Sequence, residues 1–177
     1  VKTPVMTPAD LKGLKIRTMD SPMAIEMMNC FGGSATAMPI SDVYTAMQSG
    51  VIDGAENNET ALTVGGHGEV AKCYSYDEHT RIPDIVLIST KVWNKFSVEQ
   101  QEIVQAAADA AKETYKADWQ AAIEQAVKDA ETNMGVTFYH PDSLAPFQEA
   151  VQPIYDRLAK EEPEVWALCE KIQAFQA

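Results

Sequence analysis

VYTAMQSGVIDGAENN, residues 43–58, is the stretch whose reading decides the fold. It reads as a helix end, a tight turn, a very short strand and a polar cluster. Ser41 is placed to cap the helix, and Gly50 supplies the left-handed residue that stops it. Val51 and Ile52 form an apolar pair suited to a buried parallel strand. Asp53-Gly54-Ala55-Glu56-Asn57-Asn58 follows at the carboxyl end of that strand. In open α/β sheets the crevice beyond the strand ends is where ligands sit. Asp53, Glu56, Asn57 and Asn58 suit hydrogen bonding to a polyhydroxy ligand. Taken alone, the same residues also read as a solvated turn.

Upstream, Leu14 to Thr18 alternates apolar and polar residues, the period of a half-buried strand, with Arg17 at its carboxyl end. By itself Arg17 is either a surface arginine or a guanidinium fork for a carboxylate. Val1 to Pro8 reads as an extended linker, and Thr7 to Gly13 as one helical turn ended by glycine. Ser21-Pro22 opens a helix whose Met23, Ile25, Met27 and Met28 read as core, and Gly32-Gly33 ends it. Ala35 to Ile40 is extended. Downstream, Glu59 to Val64 reads as helical and Gly65 to Gly68 as a flexible loop without phosphate-loop spacing. Val70 to Tyr76 returns towards the sheet. Asp77-Glu78-His79-Thr80-Arg81 is a second polar cluster, and Ile85 to Ser89 reads as an apolar strand behind Pro83. The two polar clusters are expected to line two sides of one crevice.

The region from Ser97 to Met134 carries the strongest local signals. Ser97 and Gln100 form a capping box, and Gly135 stands where a helix-ending glycine belongs. Ile103, Ala107, Ala111, Tyr115, Trp119, Ala122, Ala126, Ala130 and Met134 recur at helical spacing. Such a helix is about 55 Å long, more than one small domain spans, so it is expected to bridge two. The stripe is alanine-rich and holds no clean heptad, which argues against a coiled coil. Val136 to Tyr139 reads as a strand, and Leu144 to Ala159 as a helix interrupted near Pro146 and Pro153. A last amphipathic helix is expected to turn Trp166, Leu168 and Ile172 inward.

The 177 residues carry a net charge of −12, which speaks against nucleic acid and anionic membrane surfaces as partners. Cys30, Cys73 and Cys169 are odd in number and lack metal spacing, so they read as small packed hydrophobes. No run approaches a membrane span. His67, His79 and His140 are too far apart in sequence for a helical zinc pair, and no nucleophile elbow is present. No cofactor and no metal is expected. A Glu56/Glu78 pair for glycoside chemistry is the enzymatic alternative, and a structural or interaction domain the third reading.

Three stretches, PADLKGLKIRTMDSP from Pro8, SDVYTAMQSGVIDGAENN from Ser41 and DEHTRIPDIVLIS from Asp77, together resemble the DctP-type solute-binding proteins of TRAP transporters. The resemblance runs through nearly the whole chain but matches the second half of a longer family chain. It implies an α/β, type II periplasmic-binding-protein-like lobe, with a mixed sheet flanked by helices, one long connecting helix and the N-terminal lobe largely missing. The start at Val1, without Met or signal peptide, fits an excised mature segment. The implied domains are 1–82 as ligand-binding lobe II, 83–118 as a segment of lobe I, and 119–177 packing back on lobe II.

The resemblance also implies a non-enzymatic receptor, periplasmic or extracellular, lipid-anchored if the host is Gram-positive. Such a receptor binds a small organic acid and delivers it to TRAP membrane subunits for sodium-coupled uptake. GLKIRT matches the motif whose arginine grips the ligand carboxylate, which places Arg17 there. Asn57 matches the family's pocket asparagine, and Asp20 and Ile40 fall where the family lines the pocket. Glu56, Asn58, Glu78 and His79 complete the implied site. Glu78 beside His79, with GAENN, resembles the branch that takes uronic and related sugar acids, so a sugar acid is preferred over a C4-dicarboxylate. A further ligand-binding arginine of the family lies upstream of Val1. Without its other lobe the chain is expected to expose an apolar helix face and to self-associate.

Overall fold

Lys15–Thr18 (β1) sets the architecture: Ile16, Arg17 and Thr18 are all buried, on both faces rather than the one face its alternation predicts, so the strand must be covered twice. A computed structural model describes residues 1–175 of the chain. Ile16 points into the main core, and Arg17 to the opposite side. Pro22–Cys30 (α1) follows, with Pro22 in the first turn, where its missing N–H costs nothing. Ser34–Ala37 (β2) then pairs parallel to β1 from Lys15↔Ser34 to Thr18↔Ala37. Ile40–Gln48 (α2) returns the chain across β1, and Gly54–Ala55 (β3) pairs on its far side through Ile16↔Gly54 and Arg17↔Ala55. The order is β2-β1-β3. Right-handed crossovers running in opposite directions put α1 and α2 on opposite faces, and the winding reverses between β1 and β3.

Gly50, at φ +74°, lets the chain leave α2 and turn straight into β3. Asp53 fixes the register there: its N–H donates to the Lys15 carbonyl at 2.8 Å, and its Oδ2 accepts from the Lys15 N–H at 2.8 Å. Thr60–Thr63 (α3) and a 3-10 turn at His67–Glu69 lead to Cys73–Ser75 (β4). After Thr90–Trp93 (α4) comes the long helix Val98–Met134 (α5), with both bonds of the Ser97/Gln100 capping box formed and Gly135 left-handed at φ +66°. Lys72 Nζ donates to the Gly68 and Met134 carbonyls at 2.8 and 2.7 Å, placing a cation at the C-terminal end of α5. Thr137–Tyr139 (β5) then pairs parallel with β4.

Ala145–Ala150 (α6), Gln152–Glu161 (α7) and Pro163–Ala174 (α8) close the chain. Phe147 of α6 and Ile154 and Leu158 of α7 join Ile16, Met28 and Phe31 in one core, with Phe31 and Phe147 edge to face at 5.4 Å. Arg157 grips Glu26 through two bonds, 3.1 and 2.7 Å, tying α7 to α1. A second core joins Leu62, Ala130 and Val136. Between Val98 and Asp118 all residues but the half-buried Gln101 and Ala108 are exposed, whereas Ala126 and Ala130 are buried. The first half of α5 therefore packs against almost nothing.

Several expectations need correction. Every strand pair among the described residues is parallel, so the sheet is not mixed here: each connection carries a crossover rather than a hairpin. The short strand is Gly54–Ala55, not Val51–Ile52; Ile52 is buried, but Val51 is exposed, still within the turn. Ile85 to Ser89 is exposed and unpaired among the described residues, because no neighbouring strand is there to complete a ladder. Ser41 lies inside α2 and bonds Asp42 rather than capping. The Gly65–Gly68 loop is an ordered turn with His67 buried. In α8, Trp166 and Cys169 face the core while Leu168 and Ile172 are exposed.

These placements set a stability contrast measurable by urea unfolding of the chain. Phe147→Ala should cost about 3–5 kcal/mol, because it opens a hole beside Phe31. Ile172→Ala should stay within about 0.5 kcal/mol, as expected of an exposed position. Equal losses at the two positions would show that α8 packs through Ile172 after all.

Candidate functional site

The carboxyl ends of β1 and β3 lie side by side where the winding reverses, and a buried arginine occupies that position. Arg17 is 5% exposed. Its Nε donates to the Met38 carbonyl at 3.0 Å, just beyond β2, and its Nη1 lies 3.7 Å from Glu56 Oε1, just beyond β3. Thus the three strand ends each contribute one member of the cluster. Glu56 Oε1 also accepts the Met19 N–H at 3.3 Å. Burial pushes the Glu56 carboxyl above its ordinary range, although His79 and Arg17 pull it down.

The second polar cluster meets the first. Glu78 has φ +49°, rare for a residue with a side chain. The left-handed kink lets Asp77 and His79 face each other, and His79 Nδ1 contacts Asp77 Oδ1 at 2.5 Å. Burial works against charge on His79. The Asp77 bond, the Asp77 charge and Glu56 outweigh it and raise the imidazole above its usual value. His79 Nε2 and Thr18 Oγ1 are buried and have no hydrogen-bond partner among the described residues.

Asn57 is half-buried and pinned through its backbone, since Tyr74 Oη donates to the Asn57 carbonyl at 2.8 Å. Its own Oδ1 accepts the Asn58 N–H at 2.9 Å. Asn58 is exposed and accepts from Thr60 Oγ1 at 2.6 Å, ordering the start of α3. Ile40, 53% exposed, opens α2 and lines, with Tyr44, Asn57, Asn58 and Thr60, an open cleft of about 390 Å³. Asp20 is exposed beyond β1.

Arg17, Glu56 and His79 are thus one cluster, with Asn57 on the same segment as Glu56. Glu78 stands apart: its carboxylate faces solvent and bonds Arg81 Nη2 at 2.9 Å. Consequently Glu56 and Glu78 do not form the opposed carboxylate pair that glycoside chemistry requires. Asp77 was read only as a member of the second polar cluster, and Tyr74 and His67 were not marked out as site residues. The i, i+2 spacing of Tyr74 and Tyr76 on one strand was a usable signal for a shared face. His67, buried beside a small cavity of about 40 Å³, has its imidazole pushed down by burial and by Arg17.

Among the described residues, no helix is long and apolar enough to cross a membrane, and no group of side chains is arranged to hold a metal ion. Residues 1–162 match DctP, the bacterial extracellular solute-binding protein family 7. A solute-binding protein of Chromohalobacter salexigens is 40% identical over 98% of this chain and 52% of its own length. A TRAP periplasmic solute-binding protein of Anaerococcus prevotii, solved with bound D-glucuronate, superposes with a TM-score of 0.92 at 40% identity. That match covers 98% of this chain and 56% of the other. One from Xanthobacter autotrophicus, solved with β-D-galacturonate, gives 0.89 at 38% identity, over 98% and 57%. The chain spans about half the length of the relatives it matches. With the match over most of its residues and with the parallel β2-β1-β3 lobe in common, the chain belongs to the DctP family of bacterial extracellular solute-binding proteins.

Proposed function

We propose that this chain is the carboxylate-holding part of a TRAP receptor that captures a sugar acid, a uronate in preference to a C4-dicarboxylate, and performs no turnover. The observation that carries this reading is Arg17. Its single side-chain hydrogen bond among the described residues uses Nε, and its contact with Glu56 is a long ion pair, so the fork retains donors for a ligand carboxylate. Uronates bound to similar receptors from several bacteria support the ligand class. In this reading Asn57 and Ile40 line the ligand, and Asn58 orders the cleft wall. Glu56 and His79 stand behind Arg17, with Asp20 and Glu78 at the rim. The receptor works outside the cytoplasmic membrane, lipid-anchored in a Gram-positive host, and hands its solute to TRAP membrane subunits for sodium-coupled uptake.

In a receptor of full family length carrying this sequence, Arg17→Ala should weaken D-glucuronate by about 2–5 kcal/mol. Arg17→Lys should restore only part of that, since an ammonium keeps the charge but not the planar fork. Titration calorimetry decides it. Glucuronate binding within a factor of two of wild type in Arg17→Ala would place the carboxylate elsewhere.

The domain reading belongs to the same proposal: 1–82 forms lobe II, 83–118 belongs to lobe I, and 119–177 packs back on lobe II. Ile85, Val86 and Leu87 are 71%, 89% and 84% exposed, and Val98, Ile103 and Tyr115 of α5 are also exposed. Exposed apolar side chains in such numbers are usually covered by a partner surface. On its own the chain should therefore self-associate at micromolar concentration, and Val86→Lys with Leu87→Lys should shift it towards monomer without changing its urea midpoint. Light scattering that finds a clean wild-type monomer would overturn the assignment of 83–118.

A further inference from the structure

Arg17 is already matched by a carboxylate of its own chain, and a second carboxylate arriving at the same guanidinium creates a charge problem. Glu56 is faced by Arg17 from β1, by the Met19 N–H just beyond β1, and by Asp77 and His79 from the 77–79 turn. His79 is faced by Asp77 and Glu56, with the edge of the Phe31 ring 6.3 Å away. His67 also feels Arg17: burial first and then that charge push its imidazole down. Counted with every other group ionised, Arg17 and His79 balance Glu56 and Asp77. A ligand carboxylate adds one negative charge to this mostly buried set.

We propose that Glu56 is the resident counter-ion of Arg17, and that a carboxylate ligand binds together with one proton, taken up within the Glu56–His79 pair. This rests on the uronate reading above. One guanidinium balances one carboxylate. When two share it away from bulk water, like-charge repulsion raises the proton affinity of whichever can respond. The ligand carboxylate cannot respond near neutral pH, because it forms the fork bonds that favour its charged form. Glu56 can, because burial already favours its neutral form. His79 shares the response, since it feels Glu56 directly, and the proton belongs to the pair rather than to either residue. Protonated Glu56 still accepts the Met19 N–H, so the backbone between β1 and α1 keeps its support.

The sign follows from linkage. The bound site holds more protons than the free one, so affinity for the acid strengthens as pH falls, by at most about tenfold per pH unit for one proton. The test is calorimetric titration of D-glucuronate into a receptor of full family length carrying this sequence, from about pH 6 to about pH 8. Running it in buffers of different ionisation enthalpy counts the protons exchanged. Net uptake approaching one proton per ligand is expected in the wild type. Glu56→Gln should cut that uptake and flatten the pH profile, because an amide cannot take the proton. His79→Gln should narrow the uptake without abolishing it. Binding without proton exchange, proton release, or full uptake persisting in Glu56→Gln would each overturn the inference while leaving the uronate reading intact. Failure to bind glucuronate or galacturonate at any pH would overturn both.

Discussion

A guanidinium buried at the end of a central parallel strand is the constraint around which the rest is arranged. Arg17 cannot lose its proton, so its surroundings must supply acceptors for a permanent charge. Parallel strands deliver them economically, because all three carboxyl ends emerge on the same side. Met38 after β2 offers a carbonyl, and Glu56 after β3 offers a carboxylate. The register of β3 serves the same demand, since Arg17↔Ala55 pairing brings Glu56 next to the arginine. Asp77 and His79 then form the layer behind Glu56, and the left-handed backbone at Glu78 is what aims both of them inward.

An acidic protein that takes an acid is not a contradiction when charges are counted by location. The net charge of −12 belongs to the whole surface, much of it on exposed helices screened by water and salt. The field at a buried position is set by its few nearest groups, and around Arg17 those groups nearly balance. The acidic exterior bears on solubility and on encounter rates; the cluster bears on which charge is held.

What could be read from the sequence was what local chemistry dictates. The Ser97/Gln100 box and Gly135 bound α5 correctly at both ends, because a helix terminus is decided by the residues that cap it. Gly50 as the residue that stops α2 was legible for the same reason, although the strand begins three residues later than Val51. The polar clusters at Glu56–Asn58 and at Asp77–His79 were recognisable as partners from their positions after strands. Features that depend on distant neighbours were not. Ile85 to Ser89 has the composition of a strand and no ladder to join. Leu168 and Ile172 have the right helical spacing, yet α8 is rotated so that Trp166 and Cys169 take the core. His67 looked like part of a glycine loop and is instead buried beside Leu62 and Tyr74. The direction of the Glu78 side chain depended on a backbone kink that no side-chain pattern announces.

The pairing of β4 with β5 has a mechanical meaning. Cys73 sits opposite Thr137 and Ser75 opposite Tyr139, so the chain departs and comes back on two adjacent, parallel tracks. Adjacent strands lie about 4.8 Å apart, so the segment between Tyr76 and Val136 leaves and returns through a narrow neck, while Ala126 and Ala130 of α5 are buried at its returning end, Ala130 beside Leu62. Asp77 and His79 sit at the outgoing side of that neck, directly against Glu56. The arm whose first half stands exposed therefore begins at the residues that set the charge behind Arg17, so rod and cluster share one root.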